Sequence, residues 1–264
     1  MLRCNNTLAG DSLIKPKNDL QVISPDWPAP ACVRALVTTR RGGVSQAPFD
    51  GFNLGSHVQD NPLHVHQNRQ QLQHFLATRY EPQWLQQEHG VDVIAARSDG
   101  PVTEADACFT DEQGLPCAVM TADCLPVFFC TRQGDQVAVA HAGWRGLAGG
   151  VIEATLDKLR AMPADVLVWL GPAIGPHKFE VGSEVRDVFV GYSEHCAMAF
   201  IENSEKPGHW FADIYQLARI RLQLGGVDAI YGGDFCTYSD SERFFSYRRD
   251  GVTGRMASLI WIAS

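Results

Sequence analysis

The chain has 264 residues, of which 45% are hydrophobic and 20% are charged. This composition is typical of a globular protein and excludes a disordered or fibrous chain. The net charge of −8 is unfavourable for contact with nucleic acid or an anionic membrane, because both attract basic surfaces. We therefore expect neither as a partner.

The sequence also predicts the compartment and the state of the thiols. The first 25 residues are polar and lack the apolar run of a signal peptide, and no uncharged stretch approaches the roughly 20 apolar residues of a membrane helix. We therefore expect a cytoplasmic protein with reduced thiols. The cysteines expected to be unpaired and structural are Cys4, Cys32, Cys108, Cys117, Cys130, Cys196 and Cys236.

Taken in chain order, the pattern predicts a loosely ordered extension over residues 1–24 and then one domain over residues 25–264. Within the domain we expect a strand at 33–38, strands at 118–120, 127–130 and 137–141, a helix at 147–159, a strand at 166–170, helices at 183–190 and 214–224, and a strand at 258–262. Asp213 caps the last helix and Gly225 ends it. Mixed strands and helices without a repeat or linker favour a single α/β or α+β domain, a mixed β-sheet sandwich flanked by helices.

Three polar side chains interrupt the buried pattern at predicted element ends, where scaffolds present functional groups. Cys124 follows an apolar run in TADCLPV, His141 ends the strand-like QVAVAH, and His89 lies in WLQQEHG. Two imidazoles and a thiolate suit zinc, and three protein ligands leave a fourth position open, as in catalytic sites. Two other interpretations stay open: a Cys124–His141 nucleophile–base pair, or a buried thiol beside histidines bound to the backbone.

Basic residues lie in three glycine-containing turns, TTRRGGVS, HAGWRGLAGG and SYRRDGVTGR. In an acidic chain these turns favour an anionic substrate group, because arginine binds phosphate bidentately. For any one turn alone, a solvated arginine is the alternative, and none of them is a P-loop or dinucleotide-binding fingerprint. His64 and His66 form the only H-x-H pair, at a predicted helix entrance, which does not supply the histidine pairs of a multicopper centre.

Motifs along nearly the whole chain resemble those of the YfiH-type laccase-domain family, whose members are also called purine nucleoside phosphorylase/adenosine deaminase or peptidoglycan editing factor. They are TTRRGGVS, FNLGSHVQDNP, WLQQEHG, TADCLPV, HAGWRG, WLGPAIGP, DIYQLAR and FFSYRRDGVTGRMAS. The match runs from about Trp27 to Ile262, and so many motifs in one order make it highly specific. The chain departs from the family in its N-terminal extension and at Glu88, where an apolar residue is expected.

The resemblance implies a single αββα-like domain with zinc, or copper as the alternative, held by His89, Cys124 and His141, which are also expected to be catalytic. It implies phosphorolysis of adenosine, inosine and methylthioadenosine, deamination of adenosine, and hence small-molecule partners. For deamination a carboxylate must carry protons. Asp123 is the first candidate for this role and Asp106 the second.

Phosphorolysis needs an anion pocket, and Arg40, Arg145 and Arg248 are the candidates to bind phosphate or substrate. The family also implies two alternatives, namely amidase-type editing of the peptidoglycan precursor UDP-MurNAc-L-Ser and copper-dependent polyphenol oxidation. The precursor is anionic too, so the arginine turns do not distinguish it from phosphate. A non-enzymatic redox or binding protein is the remaining alternative.

Overall fold

A computed structural model describes residues 20–263 of the chain. Its strands are β1 (Val22–Ile23), β2 (Val33–Thr38), β3 (Leu85–Gln86), β4 (Val93–Ala95), β5 (Thr103–Glu104), β6 (Ala107–Thr110), β7 (Cys117–Thr121), β8 (Leu125–Thr131), β9 (Val137–Ala142), β10 (Val166–Leu170), β11 (Glu180–Gly182), β12 (Phe200–Glu202), β13 (His209–Ala212), β14 (Ala229–Gly232) and β15 (Met256–Ile262). Its α-helices are α1 (Pro62–Leu76), α2 (Trp144–Gly149), α3 (Val151–Leu156), α4 (Ser183–Tyr192), α5 (Ile214–Leu224) and α6 (Tyr247–Asp250). Residues 1–19 of the expected extension lie outside the described residues.

Two stacked sheets form the centre of the domain. One has the strand order β1-β2-β15-β7 and the other the order β14-β10-β8-β9-β6-β4. Side chains alternate across each strand, so that in β8 Phe128 and Cys130 belong to the core between the sheets while Val127 and Phe129 belong to the core beneath the helices. Because both faces of the central strands are buried, they appear in the sequence as continuous apolar runs.

Helices cover the outer faces of both sheets. Helices α3 and α5 pack on the six-stranded sheet through residues such as Ile152 and Leu217, and α1 packs on the four-stranded sheet through Leu72 and Leu76. A small sheet, β11-β13-β12, adjoins the helical side of the six-stranded sheet. The layers run helix, sheet, sheet, helix, which confirms the predicted sandwich flanked by helices.

Two of the predicted helices match the structure closely and one does not. Helix α5 has the predicted bounds, and the Asp213 side chain caps it by accepting a hydrogen bond from the Gln216 N–H. Helix α4 ends two residues later than expected. The prediction of one helix over 147–159 is wrong, because α2 begins at Trp144 and Gly150, at φ 105°, separates it from α3. That left-handed conformation suits glycine and ends the first helix.

No helix among the described residues is long and apolar enough to cross a membrane. The cysteines within residues 20–263 are all free thiols, and Cys4 lies outside the described residues.

Candidate metal centre

The strand pair β8–β9 brings two of the predicted ligands to one edge of the six-stranded sheet. The strands are antiparallel, with Pro126 opposite His141 and Leu125 opposite Ala142. His141 continues the row of Val137 and Val139, which point into the space between the sheets. Cys124 lies immediately before β8, at the same end of the pair. The thiol of Cys124 and the imidazole of His141 therefore lie close together at this edge of the core between the sheets.

A buried carboxylate brings the third ligand to the same place. Asp106 is 1% exposed, and its Oδ1 accepts hydrogen bonds from the His89 backbone N–H at 3.0 Å and pairs with His141 Nδ1 at 2.7 Å. Its Oδ2 accepts from the N–H groups of Glu88 and Gly90. His89 itself adopts φ 61°, a left-handed conformation that is uncommon for residues other than glycine. Asp106 thus holds the loop that carries His89 and orients the ring of His141.

The three side chains fit a metal ion. One ligand atom from each of His89, Cys124 and His141 lies within 4.8 Å of the others, and Cys124 Sγ is 3.7 Å from His89 Nε2. Zinc with its usual bond lengths and tetrahedral angles places a sulfur and a nitrogen ligand about 3.6 Å apart. Within residues 20–263 this is the one group of three or more histidine, cysteine or acidic side chains arranged as metal ligands.

The electrostatics of the metal-free cluster favour a Cys124 thiolate beside a charged His141 ring. Burial disfavours the Cys124 thiolate, but the charge of His141 and hydrogen bonds from His141 and His89 outweigh it and lower the pKa of the thiol to about 6. For His141, burial disfavours the charged ring, but Cys124 and Asp106 outweigh it and raise the pKa to about 9. Metal ions bind the thiolate and not the thiol, so Cys124 is ready to coordinate near neutral pH.

Two cavities border this cluster and share His89, Ala122, Cys124 and Tyr247 in their walls. We call the first, of about 230 Å³, the apolar cavity. Its other lining residues are Asp123, Trp144, Arg145, Ile174, Phe179, Ile214 and Arg248. We call the second, of about 380 Å³, the arginine cavity. Its other lining residues are His57, Gln87, Met120, Thr121, His141 and Arg255.

A larger cavity of about 640 Å³ lies between α1 and the segments around residues 81–84 and 97–102. None of the three ligands lines it. We therefore place the chemistry at the two smaller cavities, where the perturbed thiol and imidazole lie.

The structure places Asp123 in the wall of the apolar cavity, at φ 95°. Its Oδ1 accepts a hydrogen bond from the Thr237 hydroxyl at 2.6 Å, and its Oδ2 accepts from the Ser246 hydroxyl at 3.0 Å and the Arg248 N–H at 2.7 Å. These bonds join the segment before β8 to the residues before and within α6. The contacts make Asp123 a positioning residue, and its role in proton transfer stays a prediction.

The three predicted arginines separate into two groups. Arg145 and Arg248 line the apolar cavity, both exposed, with Arg145 stacked on Trp144 at 4.3 Å. Arg40 lines neither cavity, and its guanidinium donates to the carbonyls of Asp50 and Ser241. His57 and Arg255 are not among the predicted site residues, although Arg255 belongs to one of the three basic turns and His57 to the motif FNLGSHVQDNP.

An αββα domain thus presents, beside two cavities, two imidazoles and a thiol that could hold a metal ion. Residues 34–263 match the family described as multi-copper polyphenol oxidoreductase laccase, and the chain belongs to this family.

Several relatives and solved structures match this chain over nearly their whole length. The chain is 58% identical to a purine nucleoside phosphorylase of Pseudomonas aeruginosa, over 91% of this chain and 98% of that protein. It is 52% identical to the purine nucleoside phosphorylase YfiH of Escherichia coli, over 92% of this chain and 99% of that protein. A crystal structure of a Neisseria meningitidis protein of family DUF152 superposes with a TM-score of 0.88 at 48% identity, covering 92% of this chain and 99% of that one. The structure of YlmD from Geobacillus stearothermophilus superposes with a TM-score of 0.82 at 34% identity, covering 89% and 93%.

Proposed function

We propose that this protein is a zinc-dependent purine nucleoside phosphorylase that acts on adenosine, inosine and methylthioadenosine and also deaminates adenosine. The observation that carries the proposal is the position of the His89–Cys124–His141 cluster, of which His89 and Cys124 line both the apolar cavity and the arginine cavity. The printed names of the P. aeruginosa and E. coli relatives support the reaction class.

Phosphorolysis needs two different environments around one sugar carbon. An oxygen of inorganic phosphate forms a bond to the anomeric carbon of ribose, while the bond from that carbon to the purine nitrogen breaks and its electron pair leaves with the base. A flat purine fits the apolar cavity, whose walls include Trp144, Ile174 and Phe179. Trp144 and Phe179 offer aromatic faces to the base.

The donor set supports zinc as the bound ion. His89, Cys124 and His141 would hold it, and a thiolate with two imidazoles is a set that zinc favours. When bound, the ion supplies a Lewis acid that polarises an oxygen of the reacting groups. The chain's own contribution is geometric: Asp106 orients His141, and the loop that it holds presents His89. Copper binds such ligands with higher intrinsic affinity, so the metal acquired in a cell depends on supply.

Replacing Cys124 by Ala tests the proposal. Two imidazoles alone bind zinc far more weakly than a set with a thiolate, so we expect the purified variant to contain little zinc and to lose activity on adenosine and inosine by at least about 100-fold, the upper end of what outer-sphere losses cost. The measurements are zinc content by elemental analysis, release of free base with and without phosphate, and release of ammonia from adenosine.

Cys32→Ser is the matched control, because Cys32 lies far from the cluster and contacts the Gly134 carbonyl. Base release that needs no phosphate would identify a hydrolase instead. Wild-type protein that leaves nucleosides unchanged but releases L-serine from UDP-MurNAc-L-Ser would replace the proposal by the peptidoglycan-editing alternative. Oxidation of a phenol by the copper-loaded protein alone would replace it by the oxidase alternative.

A further inference from the structure

Arg255 is held in place by a small buried scaffold on the side of the arginine cavity. Asn53 is fully buried, and its Oδ1 accepts hydrogen bonds from the N–H groups of Gly55 and Arg255, both at 2.9 Å. Asn53 Nδ2 donates to the Gly55 carbonyl and to the Asp60 carboxylate. The arginine stem runs so close to Gly55 that a Cβ there would lie 2.8 Å from Arg255 Cγ. The turn before α1 is therefore shaped to receive this side chain.

The guanidinium of Arg255 is anchored on one side and free on the other. Its Nη1 donates to the carbonyls of Thr253 and Gly254, both at 3.0 Å. Among the described residues these are the only hydrogen bonds from its side chain, so Nε and Nη2 have no protein acceptor. These two nitrogens form the edge that binds an oxyanion bidentately. The protein thus fixes the orientation of the fork and leaves its binding edge without a protein acceptor.

The charge of Arg255 lacks the carboxylate partner that two other shielded arginines of this chain have. Arg221 pairs with Glu153 at 2.8 Å and Arg249 pairs with Asp250 at 2.7 Å. Half-buried Arg255 has no carboxylate within 4 Å in the part of the chain that the structure describes. A charge removed from water needs a partner, whereas exposed Arg145 and Arg248 are solvated by water. Of the three arginines that line the two cavities, Arg255 is therefore the one whose charge most needs a bound anion as its partner.

Arg255 and the aromatic side chains line different cavities beside the same cluster. Arg255 lines the arginine cavity together with Cys124 and His141, whereas Trp144 and Phe179 line the apolar cavity. In a direct displacement, the nucleophile approaches the reacting carbon from the side opposite the bond to the leaving group. With the purine in the apolar cavity, the attacking anion belongs in the arginine cavity.

We infer that Arg255 binds the inorganic phosphate that attacks the nucleoside, and that Asn53 and Gly55 position it. The inference rests on the proposed function and departs from the sequence-based assignment of phosphate to Arg40, Arg145 and Arg248. It predicts that the phosphate subsite and the purine subsite lie on opposite sides of the metal ligands.

The test compares Arg255→Gln, Arg255→Lys and Arg145→Gln with the zinc-loaded wild type. We expect Arg255→Gln to raise the KM for phosphate at least about 30-fold, as for a lost charge-assisted bidentate contact, while the KM for inosine changes less than threefold. Arg255→Lys keeps the charge but loses the fork, so its KM for phosphate should lie between that of the wild type and that of Arg255→Gln. Arg145→Gln should change the KM for inosine more than the KM for phosphate. Arg97→Gln, at an exposed position away from both cavities, is the control.

Binding of inorganic phosphate by titration calorimetry provides a readout that does not depend on turnover. Its dissociation constant should rise in Arg255→Gln by the same factor as KM, with zinc content and melting temperature unchanged. If Arg255→Gln fails to fold, Arg255→Lys still decides the matter. Unchanged phosphate affinity in the Arg255 variants, or a loss confined to Arg145→Gln, would overturn the inference. A wild type that binds phosphate through Arg255 but leaves nucleosides intact would overturn the proposed function and retain the subsite.

Discussion

Asp106 determines the shape of the candidate metal centre more than any other single residue. One carboxylate binds His141 Nδ1 and three consecutive backbone N–H groups from Glu88 to Gly90. The bond to Nδ1 leaves Nε2 of His141 as the nitrogen available for coordination. Burial raises the pKa of Asp106, but the hydrogen bond and charge of His141 and the backbone donors outweigh it and lower the pKa overall. The carboxylate is therefore ionised when the site binds metal.

Replacing Asp106 by Asn should weaken metal binding without removing a ligand. The amide keeps the size of the carboxylate, but it loses the charge and can accept through only one oxygen, so the His89 loop and the His141 ring both lose an orienting partner. We expect zinc affinity to fall about 10- to 100-fold, the usual effect of losing such a contact. Competition with a chromophoric chelator measures this change. Asp111→Asn is the control, since Asp111 lies just after β6 and pairs with Arg160 at the surface. Equal affinity in both variants would assign Asp106 a purely structural role.

At the scale of the elements, local signals predicted those helices whose ends carry their own caps. Asp213 and Gly225 mark the two ends of α5, and both lie within the segment itself, so single-sequence reasoning found its bounds. The break at Gly150 escaped this reasoning because apolar spacing continues through it. The short strands β4, β6 and β11–β13 escaped it too, because strands of only three or four residues leave too short an apolar pattern to recognise. Such strands are specified by packing more than by propensity.

Local signals in the sequence likewise predicted one part of the candidate site and missed another. The sequence marked His89, Cys124 and His141 as polar residues at element ends, and the family resemblance joined them into one ligand set. Arg255 and the role of Asp106 depend on contacts across 202 and 35 positions of the chain, respectively. No local sequence pattern predicts which donor will hydrogen-bond to such a carboxylate, or which arginine will have no carboxylate partner. These features needed the structure.

The turn from β9 into α2 requires glycine for a reason that concerns the site. A Cβ at Gly143 would lie 2.7 Å from His89 Cδ2 and 3.1 Å from Cys124 Sγ. Gly143→Ala should therefore displace His89 or Cys124 and lower zinc affinity at least about 10-fold, as expected when ligand geometry is disturbed. The circular dichroism spectrum should stay that of the wild type, because the clash is confined to the cluster. The same chelator competition tests it.

Gly191→Ala is the matched control for that experiment. Gly191 lies within α4, and a Cβ there would have no heavy atom within 4 Å. Alanine favours a helix over glycine by up to about 1 kcal/mol, so this variant should bind zinc normally and melt at the same temperature or slightly higher. A Gly143→Ala protein that binds zinc as tightly as Gly191→Ala would show that the cluster can expand around a methyl group.

At the scale of the whole molecule, the site joins parts of the chain that otherwise belong to different layers. Cys124 and His141 come from the six-stranded sheet, and Arg255 comes from the residue before β15 in the four-stranded sheet. His89 comes from a loop that Asp106 holds. A ligand that binds only the folded state stabilises it against unfolding. Metal binding should therefore stabilise the edge of the six-stranded sheet and the loop that carries His89, and the stability of the metal-free protein should depend on the charges of the cluster.

The metal-free protein should be most stable between about pH 6 and pH 9. The pKa of Cys124 falls from an ordinary value of 9.0 to about 6, so its contribution to stability is present at high pH and lost as the pH falls through about 6. The pKa of His141 rises from an ordinary 6.5 to about 9, so its contribution is present at low pH and lost as the pH rises through about 9. The thiolate–imidazolium pair exists only between these limits.

Urea unfolding of chelator-treated wild type and Cys124→Ser measures this contribution. Serine does not ionise in this range, so the difference in the free energy of unfolding isolates the charge pair. We expect the difference to favour the wild type near the middle of the window and to shrink below about pH 6 and above about pH 9, following the two titrations. The pKa of the His141 ring should be lower in Cys124→Ser than in the wild type, because only Asp106 then favours the charged ring against burial, and NMR of its ring protons would report this change. A difference that stays constant across the whole range would mean that the two residues meet as neutral groups, and that the thiolate forms only when a metal binds.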